Sequence, residues 1–301
     1  MTIQQLRYIV AIDQYRSFGK AAEACNVTQS TMSLMVKKLE EELDVRIFSR
    51  DVYPLVPTEI GRKVIDKAKE VLYNADQIGE LTQNEKHLLQ GTLSVAMIST
   101  VAPILVAGLF KYIGAKYPMV ALQTEEMLSE TIKDKLHKAE IDMGIITTPI
   151  NDSSLLQIPL YTERFVAYVS ESDPAYNLEN ISLFEGPDRP IWIMKKGVRQ
   201  YSVEAIRNDE SASYEKYFEG GRVSALLEIV NELGGMTIIP ETHIGLILYS
   251  WQKCVRPLVD PLERTIALVI RKDYIHEQML NLIIKAVKAS IPATLIDSGI
   301  K

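Results

Sequence analysis

A chain of 301 residues with 47% apolar side chains has room for two or three domains with buried cores, which excludes a disordered or fibrous protein. Its 33 Lys and Arg stand against 39 Asp and Glu, so the net charge is −6 and any attraction to polyanions must come from local placement of charge. Cys25 and Cys254 lie far apart, which argues against a disulfide framework and a cysteine metal site. No apolar run reaches the roughly 18 residues of a membrane span, and the amino terminus lacks the core of a signal peptide. These features predict a cytoplasmic protein without a membrane partner.

The first segment, roughly Thr2 to Tyr15, spaces Ile3, Leu6, Ile9 and Val10 as one side of an amphipathic helix. A short helix after Ser17 carries Phe18, Ala21, Ala22 and Cys25 on one face, and a tight turn follows at Asn26 and Val27. Thr28 then caps a second helix whose Met32, Met35, Val36, Leu39 and Leu43 are expected to point inward. Two helices and a short turn make a helix-turn-helix, in which the start of the second helix enters the DNA major groove. The side chains left facing outward are Gln29, Ser30, Ser33, Lys37 and Lys38.

At these residues the chain resembles the LysR-type transcriptional regulators. The matching pattern is Ser17-Phe18, Ala21-Ala22, Thr28-Gln29, Ser33, Lys37-Lys38-Leu39-Glu40 and Ile47-Phe48-Ser49-Arg50. The chain departs from it at Ser30, where the family usually has Pro, at Leu34, and at Asp51 to Pro54 in place of a basic wing. The resemblance implies contact with double-stranded DNA through Thr28, Gln29, Ser30, Ser33, Lys37, Lys38 and Arg50.

Val52 to Val56, interrupted by Pro54 and followed by Pro57, suits the wing of a winged helix. Thr58 is placed to cap a long helix in which Val64, Val71 and Ile78 recur every seven residues beside Ala68, Leu72 and Ala75. Such a seam favours self-association as a homodimer or homotetramer, which the resemblance also implies. Gln90-Gly91 marks a boundary, after which strands and helices alternate: TLSVAMI, a helix from Val101, VALQTEE, a helix from Glu130, and IDMGIITT. A second run follows Tyr161-Thr162-Glu163, with RFVAYVS, IWIMKK, helices from Val198 and Val223, and MTIIP. RTIALVI and a last helix then return to the first lobe.

The expected architecture is α/β. A winged helix-turn-helix (1–58) and a linker helix (59–90) precede a two-lobed regulatory domain (91–301) like the periplasmic binding proteins. Lobe I spans about 91–162 and 267–301, and lobe II about 163–266. Ligands of open α/β sheets bind beyond the carboxyl ends of the strands. A small anionic effector is therefore expected near Ser99 and Thr100, where a helix N-terminus should offer free N–H groups, and near Thr147, Lys195 and Lys196.

The regulatory half resembles that of the family at Ile229 to Pro240, and that of its peroxide-sensing members at Ile98 to Pro103. The position corresponding to their reactive cysteine holds Arg199, and that of the resolving cysteine falls near Asn208, so their thiol chemistry is absent. Cys25 and Cys254 leave a redox-responsive regulator as an alternative. A solute-binding or enzyme domain with an appended helical module is the remaining one. His87, His137, His243 and His276 have no metal-binding spacing, and neighbours such as Glu125 and Glu126 point to opposite faces of a strand. No enzyme activity and no cofactor are expected.

Overall fold

The computed structural model describes residues 1–49, 54–83, 89–183, 190–194, 215–218, 222–274, 276–292 and 295. The chain divides into two units, one formed by Met1–Leu88 with Asp134–Ile141 and one by Leu89–Lys133 with Asp142–Lys301.

In the first unit, helices α1 (Ile3–Tyr15), α2 (Phe18–Ala24) and α3 (Gln29–Leu43) close on one core of Leu6, Ile9, Ile12, Ala21, Met32, Val36 and Leu39. Each start carries a side-chain cap: Thr2 with Gln5 in a reciprocal capping box, Ser17 accepting from Lys20 N, and Thr28, as its sequence predicts, accepting from Thr31 N. Gln5 is buried, and its Nε2 reaches on to Met35 O at 3.2 Å, tying α1 to α3. Asn26 takes a left-handed backbone at φ 54°, which makes the turn between α2 and α3 tight.

After α3, the short strands β1 (Phe48–Ser49) and β2 (Val56–Pro57) pair antiparallel as the base of the wing. Buried Glu40 holds this entry, because its Oε1 accepts from Ile47 N at 2.7 Å and Phe48 N at 3.3 Å. Thr58 accepts from Gly61 N and donates to Arg46 O, capping α4 (Glu59–Gln83) and joining it to the wing. Ile65 and Ala68 of α4 are buried in the same core.

Leu43, expected inside, is 36% exposed. It lies at the last residue of α3, where the helix runs off the core, and with Leu6, Val64, Ala68 and Val71 it lines an open apolar groove of about 350 Å³.

In the second unit, β3 (Gly91–Met97), β4 (Val120–Glu126) and β5 (Met143–Thr148) are parallel, with α5 (Ala102–Lys116) and α6 (Ser129–His137) between them in sequence. The long β6 (Leu155–Val169), β7 (Ile191–Met194), β8 (Glu215–Phe218), α7 (Val223–Leu233), β9 (Met236–Pro240), β10 (Val255–Pro257), β11 (Glu263–Arg271) and α8 (Glu277–Ser290) complete the described elements. The strand order is β4-β3-β5-β11-β6-β9-β7-β8, with β10 also beside β6.

The first half of β6 pairs with β11, while Phe165–Val169 pair with β9 and β10, so β6 passes from one lobe to the other. In lobe II, Phe165, Ala167 and Val169 face one apolar cluster and Val166 and Tyr168 the other, as a sheet covered on both faces requires. The sequence had placed the start of this strand at Arg164. Pro159 disguised the preceding segment, and it sits where the β6–β11 register shifts, a position at which a sheet tolerates proline.

The tightest joint is at Gly61, where an added Cβ would fall 1.9 Å from Ile47 O. Gly61→Ala must therefore push α4 away from the wing. It should destabilise the amino-terminal unit by about 1–3 kcal/mol, seen as a lower denaturant midpoint, and an unchanged midpoint would contradict this packing.

Candidate DNA-reading helix and effector site

On α3 the buried residues Met32, Val36, Leu39 and Glu40 define the inner face. Thr28, Gln29, Ser30, Lys37 and Lys38 are exposed and Ser33 is half-buried, so these six share the outward side. The Thr28 hydroxyl lies 3.0 Å from Ser30 Oγ and 2.8 Å from Thr31 Oγ1, which orders the start of the helix. Gln29 Oε1 rests 3.5 Å from where a Cβ on Gly19 would stand, so α2 crosses close to this side chain. Lys37 is paired with Glu41 at 3.6 Å across one helical turn, an exposed contact worth little that a phosphate can outcompete. Arg50, also predicted to touch DNA, lies outside the described residues.

In the second unit Ser99 is half-buried and Thr100 buried, between β3 and α5. The N-cap of α5 is Val101, with no side-chain cap, and Pro103 is in the first turn. The free N–H groups expected here are not available. Val101 N and Ala102 N both donate to Ile98 O, Ile104 N donates to Val101 O, and proline has no N–H. The turn leading into the helix consumes its own donors.

The Thr100 hydroxyl instead accepts from Arg264 Nη1 at 2.9 Å. Arg264, on β11, donates through Nε to Glu163 Oε1 at 2.7 Å, and its guanidinium lies over the Phe165 ring at 5.3 Å. Glu163 Oε2 accepts from the Thr242 hydroxyl. Glu163 is 1% and Arg264 3% exposed, so this is a buried ion pair held by hydroxyls on either side.

Two neighbours lack hydrogen-bond partners among the described residues, Tyr161 through its OH and His243 through Nδ1. Burial, reinforced by the Glu163 charge, pushes the Tyr161 hydroxyl far above its usual range. Burial, with the Arg264 charge second, lowers the His243 imidazole to about 4, so it is neutral at physiological pH.

Thr147 is buried on β5 across from Ile266. Lys195 and Lys196, with Arg199 and Asn208, lie outside the described residues; among the described ones, Thr100 is the predicted effector residue that meets a charged side chain, Arg264. Glu163, Arg264, Thr242, Tyr161 and His243 had not been singled out. A signal was present, since Tyr161, Glu163, Phe165 and Ala167, and likewise Arg264, Ile266, Leu268 and Ile270, alternate along two strands. A charge on an otherwise apolar inward row needs a partner.

Among the described residues no group of acidic, histidine or cysteine side chains is arranged to hold a metal ion, and no helix is long and apolar enough to cross a membrane.

Residues 3–62 match the bacterial regulatory helix-turn-helix protein, lysR family, and residues 86–291 match the LysR substrate binding domain. The chain belongs to the LysR family of transcription regulators. It is a DNA-binding regulator with an effector domain, and like its relatives it is not an enzyme. It is 26% identical to the hydrogen peroxide-inducible genes activator of Haemophilus influenzae over 90% of this chain and 91% of that protein. It is 24% identical to the DNA-binding transcriptional dual regulator OxyR of Escherichia coli K12, over 90% of each. Among solved structures, a full-length OxyR variant from Pseudomonas aeruginosa superposes with a TM-score of 0.83 at 27% identity, covering 100% of this chain and 99% of that one.

The neutral His243 has a consequence for stability. The unfolded chain takes up this proton below pH 6.5, whereas the folded chain refuses it until about pH 4. Stability contributed by this group should therefore be complete above pH 6.5 and fall with pH across that window, by up to roughly 3 kcal/mol. His243→Gln should flatten the difference in urea midpoint between pH 7 and pH 4.5, and an unchanged difference would remove His243 from the account.

Proposed function

We propose that this LysR-type regulator acts as a homodimer or homotetramer. Each helix-turn-helix would read one half of an inverted repeat, and a small anionic effector would bind between the lobes of the regulatory domain. The observation that carries the DNA reading is the exposed face of α3, where an adenine-pairing amide at Gln29 precedes the phosphate-reaching lysines Lys37 and Lys38. Thr28, Ser30, Ser33 and Arg50 complete the contact in this reading. The open groove over Leu43, Val64 and Val71 offers the linker helix an apolar face for a second copy.

Residues 1–58 act as the DNA module, 59–90 as the linker and 91–301 as the effector domain, whose ligand would meet Ser99, Thr100, Thr147, Lys195 and Lys196. Binding shifts the balance between two arrangements of the lobes, and the linker passes that shift to the spacing of the DNA modules. A regulator of this kind works in the cytoplasm.

The names of the relatives raise peroxide as an alternative signal. Cys254 is buried, and that burial raises its thiol above the ordinary range, so it is poorly suited to supply the thiolate that reacts with peroxide. Cys25 is half-buried against the core of the helix-turn-helix. The small-molecule reading is therefore preferred.

The DNA reading is tested by two substitutions on the full chain. Gln29→Ala should relax sequence preference, losing about 1–3 kcal/mol of discrimination. Lys37→Ala should weaken binding to all duplexes and flatten the salt dependence. The check is selection from a random-sequence duplex pool followed by titration at several salt concentrations. Parent-like preference and salt slope in both variants would show that α3 is not the reading helix.

A further inference from the structure

The Glu163–Arg264 pair occupies an unusual place. Glu163 lies on β6 just before the residues that pair with β9, and Arg264 stands directly across from it on β11. One flank is Thr100, at the end of the first lobe I strand, and the other is Thr242, just after the lobe II strand β9. The pair thus spans both lobes at the strands that connect them.

Fold stability alone is a poor reason for this arrangement. A buried ion pair is often no more stabilising than apolar residues of the same volume, because desolvation offsets the attraction. Nor is the site saturated. Arg264 is engaged with Glu163 through Nε and Nη2, but the Tyr161 hydroxyl and His243 Nδ1 have no hydrogen-bond partner among the described residues. One donor, the Tyr161 O–H, is left without a partner among the described residues, close to a carboxylate that the chain itself supplies. Such a group suits a ligand with acceptor oxygens.

We propose that Glu163 is a built-in occupant of an anion subsite formed by Arg264 and Thr100, and that a carboxylate or phosphate group of the effector acts by taking its place. This deepens the effector reading and rests on it. The exchange keeps Arg264 compensated, since one anion leaves as another arrives. It breaks the link from Arg264 through Glu163 to Thr242, and with it one polar connection between the lobes. The incoming group also gains the Tyr161 hydroxyl, which Glu163 does not use. Thr242 is then a positioning residue that sets how tightly the internal carboxylate is held.

The test follows thermal unfolding of the full chain in sodium acetate and in inorganic phosphate, with sodium chloride at matched ionic strength as the reference. Glu163→Gln and Thr242→Val both weaken the internal competitor. In each, the anion concentration giving half the maximal rise in Tm should fall about tenfold or more relative to the wild type, with chloride inactive. Whichever anion acts at the lower concentration names the effector group. Adding Arg264→Gln to Glu163→Gln should abolish the response. The proposal is overturned if the single variants respond to acetate, phosphate and chloride alike, or if the double variant still responds. Should Glu163→Gln not fold, Thr242→Val decides alone, because it keeps both charges, and no tightening there is fatal to the proposal. A metabolite that binds the wild type by calorimetry with affinity unchanged in Thr242→Val would end the displacement idea and leave the effector reading standing. Absence of any metabolite binding would instead end the effector reading.

Discussion

A guanidinium and a carboxylate, both shut away from water, meet where β6 stops pairing with β11 and begins to pair with β9 and β10. The contact ties together the strands that connect the two lobes. Either charge left alone in that place is costly, so each fixes the strand that carries the other. Thr100 and Thr242 extend the same constraint into the two lobes.

The amino-terminal unit uses buried polar groups in a different way. Gln5 is spent on Thr2 and Met35, Glu40 on Ile47 and Phe48, and Thr58 on Gly61 and Arg46. Each ties backbone to backbone through a side chain, and together they hold α3 rigid while Gln29, Ser30, Lys37 and Lys38 stay exposed. A reading helix gains from such support, because a side chain that must meet a base edge cannot be aimed by a loose scaffold. In the regulatory unit Tyr161 OH and His243 Nδ1 have no hydrogen-bond partner among the described residues.

Much of this was legible because its causes are local. The caps at Thr28 and Thr58, the helical spacing of Met32, Val36 and Leu39, and the runs VALQTEE and MTIIP each carry their own instruction, and strands β4 and β9 follow the last two residue for residue. What escaped depends on distance in sequence. Glu163 and Arg264 are 101 residues apart, and neither announces its partner. Ile65 turns inward because α1 lies against α4, which no heptad count on α4 reveals. Ser99 and Thr100 follow the end of β3 as read, but the donors at the start of α5 are consumed by the turn at Ile98, and Thr100 accepts instead from Arg264, a distant residue.

The central claim is that Glu163 and Arg264 act as one unit. A double-mutant cycle by urea unfolding tests it most directly, using Glu163→Gln, Arg264→Gln and both together. The account predicts that each single change costs roughly 3–5 kcal/mol by stranding the other charge, and that the double change costs no more than either. Costs that simply add, with no coupling between the two positions, would contradict it.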